Sequence, residues 1–180
     1  MATPAREGVM MSPMITVLVR VTRGPEALAV TLSSLVPAVA AGLVGDAVIL
    51  APRADETVAR VADATGATLV VTEDRSWRPG AEAARRDWLL CLDDGDIPQE
   101  GWIRVLERFV SLTRPERGIA RLRHRQAGLL RRATNALRRL TGSSAIRAGD
   151  LVHRRVLVDG MKPRRPVRLS AVIERDPVFG

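Results

Sequence analysis

Short, mostly apolar segments alternate with longer segments of helical periodicity along the first 112 residues of the chain. The strand candidates are residues 15–21, 46–50, 67–71 and 88–92. Helical periodicity, bounded by Pro, Gly or acidic residues, covers residues 25–41, 55–65, 78–86 and 102–112. Strands that alternate with helices at this spacing predict βαβ units, and strands without polar alternation predict burial on both faces. The sequence therefore predicts an α/β fold with a mostly parallel sheet and helices on both faces.

One of these helical segments is apolar enough to be a candidate membrane span. Residues 27–45 carry no charged side chain, and 19 residues just suffice to cross a bilayer. However, Thr31, Pro37 and Gly42 interrupt the apolar character. The larger apolar residues recur at helical spacing, at Leu28, Leu32, Leu35 and Val39. We therefore expect a buried helix here and not a membrane span.

Cysteine and histidine are scarce, which excludes several kinds of site. The chain has one Cys and two His. A single Cys excludes an internal disulfide and is typical of a reducing compartment, and this ligand set is too small for a usual zinc site. Cys91 lies in an apolar strand and is expected to be a small buried residue, not a nucleophile. Residues 1–13 have no apolar core of signal-peptide length, so we expect a flexible N-terminal extension and a cytoplasmic protein.

Charge is divided unevenly along the chain. Residues 1–112 carry 11 Arg against 15 acidic residues, a net charge of −4, whereas residues 113–180 carry 16 Arg and one Lys against five acidic residues, a net charge of +12. This asymmetry predicts a polyanionic partner for the second half: nucleic acid, an acidic membrane surface or a phosphorylated substrate. A GC-rich genome that encodes Arg in place of Lys would produce the same composition without such a partner.

The basic half contains a segment whose residue spacing predicts a helix. Residues 118–140 place apolar residues on one helical stripe, flanked by many Arg. The helix would either pack this stripe on the sheet or bind peripherally to anionic lipid at the inner face of the cell membrane. Nucleic acid is disfavoured as a partner because both Phe and all three Trp lie outside the segment.

An acidic cluster follows the fourth predicted strand directly. Asp93, Asp94 and Asp96 fall beyond the carboxyl end of that strand, which is where ligands bind in sheets of this class. Carboxylates at this position can hold a divalent cation that neutralises a departing diphosphate. The other interpretation is a turn in which Asp96 caps the helix that follows.

Two segments resemble family 2 glycosyltransferases, in the right order and separation. Residues 15–35, ITVLVRVTRGPEALAVTLSSL, resemble the opening strand of that family, which continues into Pro-Glu-Ala-Leu and a helix. Residues 87–102, DWLLCLDDGDIPQEGW, resemble its later signature, Trp-Leu-Leu followed by Leu-Asp-x-Asp-Asp and Pro-x-x-Gly-Trp. The resemblance covers about residues 14–112, and weakly residues 146–160.

The resemblance implies a glycosyltransferase A-type, nucleotide-diphospho-sugar transferase-like fold in a bacterial protein. Residues 14–112 would form the donor-binding core, and residues 113–180 would pack on the same domain. The implied activity is sugar transfer, with inversion, from a nucleotide-sugar donor to an acceptor that the sequence does not identify. Asp93, Asp94 and Asp96 would bind the donor diphosphate, with Asp93 and Asp96 as ligands of magnesium or manganese.

The sequence departs from the family pattern at its functional positions. The third position of the acidic motif, usually a metal-binding acid, is Gly95, and the acids that usually follow the second strand are replaced by Ala51 and Pro52. At the end of the first strand stand Arg20 and Arg23, which could contact a diphosphate in place of a metal.

Further residues bear on whether the chain is an enzyme. Glu174 and Asp150 are both candidates for the general base, and neither is favoured by its surroundings in the sequence. A non-catalytic binding protein on a degenerate transferase scaffold is therefore the second hypothesis, and a basic binder of anionic membrane is the third.

Overall fold

The computed structural model describes residues 14–114, 118–125, 146–162 and 165–179. Its helices are α1 (Pro25–Ala40), α2 (Glu56–Thr65), α3 (Arg78–Ala83), α4 (Trp102–Leu112) and α5 (Arg154–Val158). Its strands are β1 (Ile15–Arg20), β2 (Val44–Ala51), β3 (Thr68–Val71), β4 (Trp88–Asp93), β5 (Asp96–Pro98), β6 (Ile119–Arg125), β7 (Asp150–His153) and β8 (Val167–Arg175). A short 3-10 turn, Pro177–Phe179, follows β8.

All eight strands form one sheet in the order β3-β2-β1-β4-β7-β6-β8-β5. The first four strands in this order are parallel, as their alternation with helices predicted. From β4 onward the sheet is mixed, because β7 is antiparallel to both β4 and β6, while β6 and β8 are parallel and β5 is antiparallel to β8. The predicted α/β fold is confirmed, with more antiparallel pairing than the sequence indicated.

Helices cover both faces of the sheet. On one face, Val17 and Val19 of β1 pack with Leu28 of α1 and Leu106 of α4 in the larger core cluster. On the other face, Leu18 of the same strand packs with residues of α3 and α5. Successive side chains of a strand point to opposite faces, so a strand covered on both sides must be apolar throughout. This requirement explains the uninterrupted apolar segments of the sequence.

Helix α1 contains most of the uncharged segment, residues 27–45, whose length would suffice for a membrane span. It begins at Pro25, as predicted, and buries Leu28, Leu32 and Leu35 against the sheet. Val39, which the spacing placed on the same stripe, is 56% exposed. Within the described ranges, no helix has both the length and the apolar character needed to cross a bilayer.

The helix predicted over residues 118–140 is wrong for residues 119–125. These residues form strand β6, which pairs with β7 on one side and β8 on the other. Their Arg residues stand at alternate positions, 121, 123 and 125, which is the period of a strand. Residues 126–140 of the predicted helix lie outside the described residues.

The strand directions bring several chain segments to one edge of the sheet. The carboxyl ends of β1 and β4 lie there together, because the two strands are parallel and Arg20 pairs with Asp93. The carboxyl end of β8 reaches the same edge, because Arg175 pairs with Asp96 at the start of β5. Residues that are distant in sequence therefore meet at the position where this class of fold binds its ligands.

Candidate functional site

The acidic turn between β4 and β5 is held by three arginine residues, one for each carboxylate. Asp93 pairs with Arg20, Asp94 with Arg23, and Asp96 with Arg175. The turn itself depends on Gly95, whose φ of +82° lies in the left-handed region that favours glycine. We call this set of six charged side chains the arginine–aspartate cluster.

Asp94 is fully buried and connects β4 to the turn that follows β1. Its Oδ2 accepts hydrogen bonds from the backbone N–H groups of Thr22, Arg23 and Gly24, at 2.9, 2.6 and 3.0 Å. Its Oδ1 accepts the Thr22 hydroxyl at 2.6 Å and the Arg23 guanidinium at 3.2 Å. Both oxygens are therefore committed to the protein, and Asp94 has a structural role at this edge.

Asp96 is also fully buried and connects β5 to β8. Its Oδ1 accepts the Nε and Nη2 donors of Arg175 at 3.2 and 2.9 Å, and its Oδ2 accepts the backbone N–H of Asp93 at 3.0 Å. A buried carboxylate of this kind is stabilised by its cationic partner and its hydrogen bonds.

Asp93 is the one member of the acidic turn that reaches solvent, with 18% of its side chain exposed. Arg20 donates to its Oδ1 through Nε at 3.1 Å and through Nη2 at 2.8 Å. The other oxygen, Oδ2, makes no hydrogen bond to a described residue, and Arg175 Nη2 lies 3.8 Å from it.

These contacts decide whether a divalent cation fits the cluster. Magnesium requires close oxygen ligands in a near-octahedral arrangement. Five of the six carboxylate oxygens already accept hydrogen bonds, which leaves Oδ2 of Asp93. Across the described ranges, no group of three or more His, Cys, Asp or Glu is arranged to hold a metal ion. The donor set present therefore does not fit a divalent cation.

The arginine residues are fixed by further contacts. The Arg20 guanidinium lies 4.5 Å from the centroid of the buried Trp77 ring, and its Nη1 donates to the Arg75 carbonyl at 3.0 Å. Arg23 donates through Nε to the Phe179 carbonyl at 2.7 Å. Arg20 thus connects the cluster to the loop after β3, and Arg23 connects it to the turn after β8.

Sequence reasoning identified Arg20 and Arg23 but missed Arg175. Arg175 is the last residue of β8, and it meets the acidic turn because β8 pairs with β5. No local pattern indicates this contact, because strand alternation places Arg175 on the apolar face of β8 and predicts an apolar residue there.

An open cleft of about 190 Å³ lies beside the cluster, between the loops that follow β1 and β2. Arg23 belongs to both the cluster and the cleft, and the exposed Arg53 lies on the opposite side. Asp55 also lines the cleft, where its carboxylate accepts the N–H groups of Thr57 and Val58 as the cap of α2. The other lining residues are Val21, Thr22, Gly24, Pro25, Ala51, Pro52 and Val58.

The two candidate bases are both engaged by arginine. Asp150 is fully buried and accepts two hydrogen bonds from Arg121, at 2.6 and 2.8 Å. These hydrogen bonds raise the pKa of Arg121 above its ordinary value. Glu174 pairs with the exposed Arg125 at 2.8 Å, and it points to the opposite sheet face from its neighbour Arg175. Both carboxylates are therefore held by a cationic partner.

Cys91 is fully buried at the centre of β4. Burial raises the pKa of its thiol well above the ordinary value, and the charge of the nearby Asp150 raises it further. Since the thiolate is the reactive form of cysteine, Cys91 is a packing residue, as its apolar surroundings in the sequence predicted.

Comparisons with known proteins give matches to solved structures alone. No protein-family model matches the sequence, and no curated protein matches it. Glucosyl-3-phosphoglycerate synthase from Mycobacterium tuberculosis, solved with Mn²⁺, UDP and glucosyl-3-phosphoglycerate, has a TM-score of 0.57 and 18% identity, over 81% of this chain and 58% of that one. The same enzyme has also been solved with Mg²⁺ and UDP.

Two further structures are similar. Mannosyl-3-phosphoglycerate synthase from Rubrobacter xylanophilus has a TM-score of 0.57 and 12% identity, over 80% of this chain and 55% of that one. A mycobacterial protein has a TM-score of 0.58 and 16% identity, over 91% of this chain and 65% of that one. The chain therefore spans 55–58% of the length of the two synthases. Its architecture is the glycosyltransferase A-type, nucleotide-diphospho-sugar transferase-like fold that the two sequence motifs implied.

Proposed function

We propose that the chain binds a nucleoside-diphosphate sugar at the carboxyl edge of the sheet and transfers the sugar to an anionic acceptor. The observation that carries the proposal is the convergence of Arg20, Arg23 and Arg175 at this edge, beside the open cleft. Guanidinium groups suit phosphate oxygens in charge and in geometry. The cleft would receive the nucleoside, and the cluster would face the diphosphate.

The reaction would be a direct displacement. The acceptor hydroxyl oxygen bonds to the anomeric carbon from the face opposite the diphosphate, and the carbon–oxygen bond to the diphosphate breaks. The nucleoside diphosphate leaves with the electron pair, the acceptor proton passes to solvent, and the anomeric configuration inverts. Negative charge grows on the diphosphate as the bond breaks, so fixed cationic donors at that position stabilise the transition state.

The acceptor side is proposed from charge. Arg123 and Arg125 are exposed at the carboxyl end of β6, which runs parallel to β8 toward the edge that holds the cluster. An acceptor with a phosphate or carboxylate would be attracted there. Phosphoglyceric acid, which is bound in a related synthase structure, is the acceptor to test first.

Binding is tested by titrating the protein with UDP, GDP and ADP in a calorimeter. Replacing Arg53, which lines the cleft from an exposed position, by Ala should weaken binding of the preferred nucleotide about tenfold, since an ionic hydrogen bond is lost. Arg60→Ala is the matched control, because Arg60 is an exposed arginine on α2 whose side chain donates a hydrogen bond to Thr57 and to no other described residue. Equal loss in both variants, or none in Arg53→Ala, contradicts the proposed donor site.

A second candidate function is a non-catalytic nucleotide-binding protein. The observation that favours it is the commitment of Asp150 and Glu174 to arginine partners, which a general base would have to give up before it could take a proton from the acceptor. The two functions differ in turnover. A transferase would release nucleoside diphosphate from the donor sugar only when the acceptor is added, whereas a binding protein would retain the intact donor in both conditions.

A further inference from the structure

We propose that the arginine–aspartate cluster is a metal-free diphosphate site, in which Arg23 and Arg175 take the place of a divalent cation. The inference rests on the proposed function and gives that same site its recognition chemistry. Its ligand class is a nucleoside diphosphate, and its binding is independent of Mg²⁺ and Mn²⁺.

The first argument is the occupancy of the carboxylates. Asp94 and Asp96 are fully buried, and both oxygens of each accept hydrogen bonds from the protein. A metal ion could replace these donors only by leaving backbone N–H groups buried without partners, which is costly. The single uncommitted oxygen, on Asp93, cannot supply a coordination sphere.

The second argument is the charge of the cluster. Three guanidinium groups offset three carboxylates, so the formal charge is zero before any ligand arrives. A divalent cation would gain little electrostatic free energy by entering a site of zero formal charge, and the three guanidinium groups would repel it. An anion is favoured instead, because Asp94 and Asp96 are fully buried and Asp93 is only 18% exposed, while the arginine side chains keep 29, 22 and 19% of their surfaces exposed.

The third argument is the supply of hydrogen-bond donors. A guanidinium carries N–H donors on all of its nitrogens. Arg20 already donates from Nε, Nη1 and Nη2, so it mainly positions Asp93. Arg23 donates from Nε and Nη1, and Arg175 from Nε and Nη2. Within the described chain, Nη2 of Arg23 and Nη1 of Arg175 have no hydrogen-bond partner, and these two groups are the donors assigned to the diphosphate.

The experiment compares UDP, GDP and ADP binding to the full chain in EDTA and in excess MnCl₂, by calorimetry. We expect the dissociation constant of the preferred nucleotide to agree within about twofold between the two conditions. Titration of the protein into MnCl₂ alone, followed by electron paramagnetic resonance, should leave the free Mn²⁺ signal unchanged.

A conservative variant tests the assigned donors. In Arg175→Lys the single ammonium group would stay paired with the buried Asp96. No second nitrogen would then be available to the diphosphate, so nucleotide binding should weaken about tenfold. Arg108→Lys, at an exposed position on α4, should leave it unchanged. Melting temperatures establish whether both variants fold. If a variant does not fold, the calorimetry and the Mn²⁺ titration of the wild-type protein still test the metal-free site.

The outcomes separate this inference from the proposed function. Nucleotide binding that requires Mn²⁺, or Mn²⁺ binding that Asp93→Asn abolishes, overturns the metal-free site and leaves the transferase proposal intact. Metal-independent binding that Arg175→Lys does not affect overturns the assigned donors. Failure of all three nucleotides to bind in either condition, with the protein folded, overturns the proposed function together with this inference.

Discussion

Asp94 shows how a single residue can have a role different from that of its counterpart in a motif. Its fully buried carboxylate accepts three backbone N–H groups, a hydroxyl and a guanidinium. A charged group is tolerated in the interior when hydrogen bonds and an opposite charge replace the water it has lost. Asp94 therefore stabilises the turn after β1, and through this turn it sets the position of Arg23.

Replacing Asp94 by Asn should reduce the free energy of unfolding by about 3 kcal/mol or more, the scale for breaking one side of a buried ion pair. The new amide group would place donors against donors and leave Arg23 without its counter-charge. Urea denaturation measures the change. Asp159→Asn, at an exposed carboxylate that follows α5, is the matched control and should be close to wild type. A loss of under about 1 kcal/mol in Asp94→Asn would contradict the structural role.

Sequence patterns located the acidic residues of the site and two of their arginine partners, but not the third, Arg175. Asp93, Asp94 and Asp96 are visible because they directly follow an apolar strand. Arg175 stands 79 residues from Asp96 along the chain, and no local pattern relates the two. Their pairing is set by the strand order of the whole sheet, which a single sequence does not specify.

At the scale of elements, the parallel half of the fold was predictable and strand β6 was not. Most of the elements around β1 to β4 are separated by Gly or Pro, although neither stands between α3 and β4. Residues 119–125 carry two signals at once, an apolar stripe at helical spacing and Arg at alternate positions. Pairing on both sides, with β7 and β8, decides in favour of the strand, because tertiary contacts override a weak local preference.

The entry to β7 depends on Gly149. Its backbone joins two other strands, since its N–H donates to the Cys91 carbonyl at 2.7 Å and its carbonyl accepts the Leu122 N–H at 2.9 Å. It also has a φ of +87°, and a Cβ at this position would collide with the imidazole of His124. The positive φ therefore favours glycine, and an added methyl group would also displace the His124 ring.

Gly149→Ala should therefore destabilise the protein by more than the roughly 1 kcal/mol that left-handed backbone alone costs a residue with a Cβ. Gly66→Ala is the matched control, because Gly66 has a φ of +68° but no atom within 4 Å of the added methyl group. Thermal unfolding of the two variants side by side gives the comparison. Equal melting temperatures would show that His124 moves away at no cost.

At the scale of the whole molecule, the acidic and basic parts of the chain are interleaved in one sheet. Strand β4 pairs with β7, and β5 pairs with β8, so each of these pairings joins a strand of the first 112 residues to a strand of the rest. The cluster crosses the same division, because Asp96 is paired with Arg175. The opposite net charges of the two parts thus meet at the candidate site, where formal charges balance.

This interleaving predicts that residues 1–112 alone do not form a stable fold. Removing the rest exposes one edge of β4, uncovers the sheet face under α5 and leaves the carboxylate of Asp96 buried without its guanidinium. The fragment should therefore unfold in urea without a cooperative transition, whereas the full chain should show one with a slope set by its larger buried surface. Tryptophan fluorescence measures both, because all three Trp lie in the fragment. A cooperative transition of the fragment would instead make residues 1–112 an independent folding unit, and the basic part an addition to a complete domain.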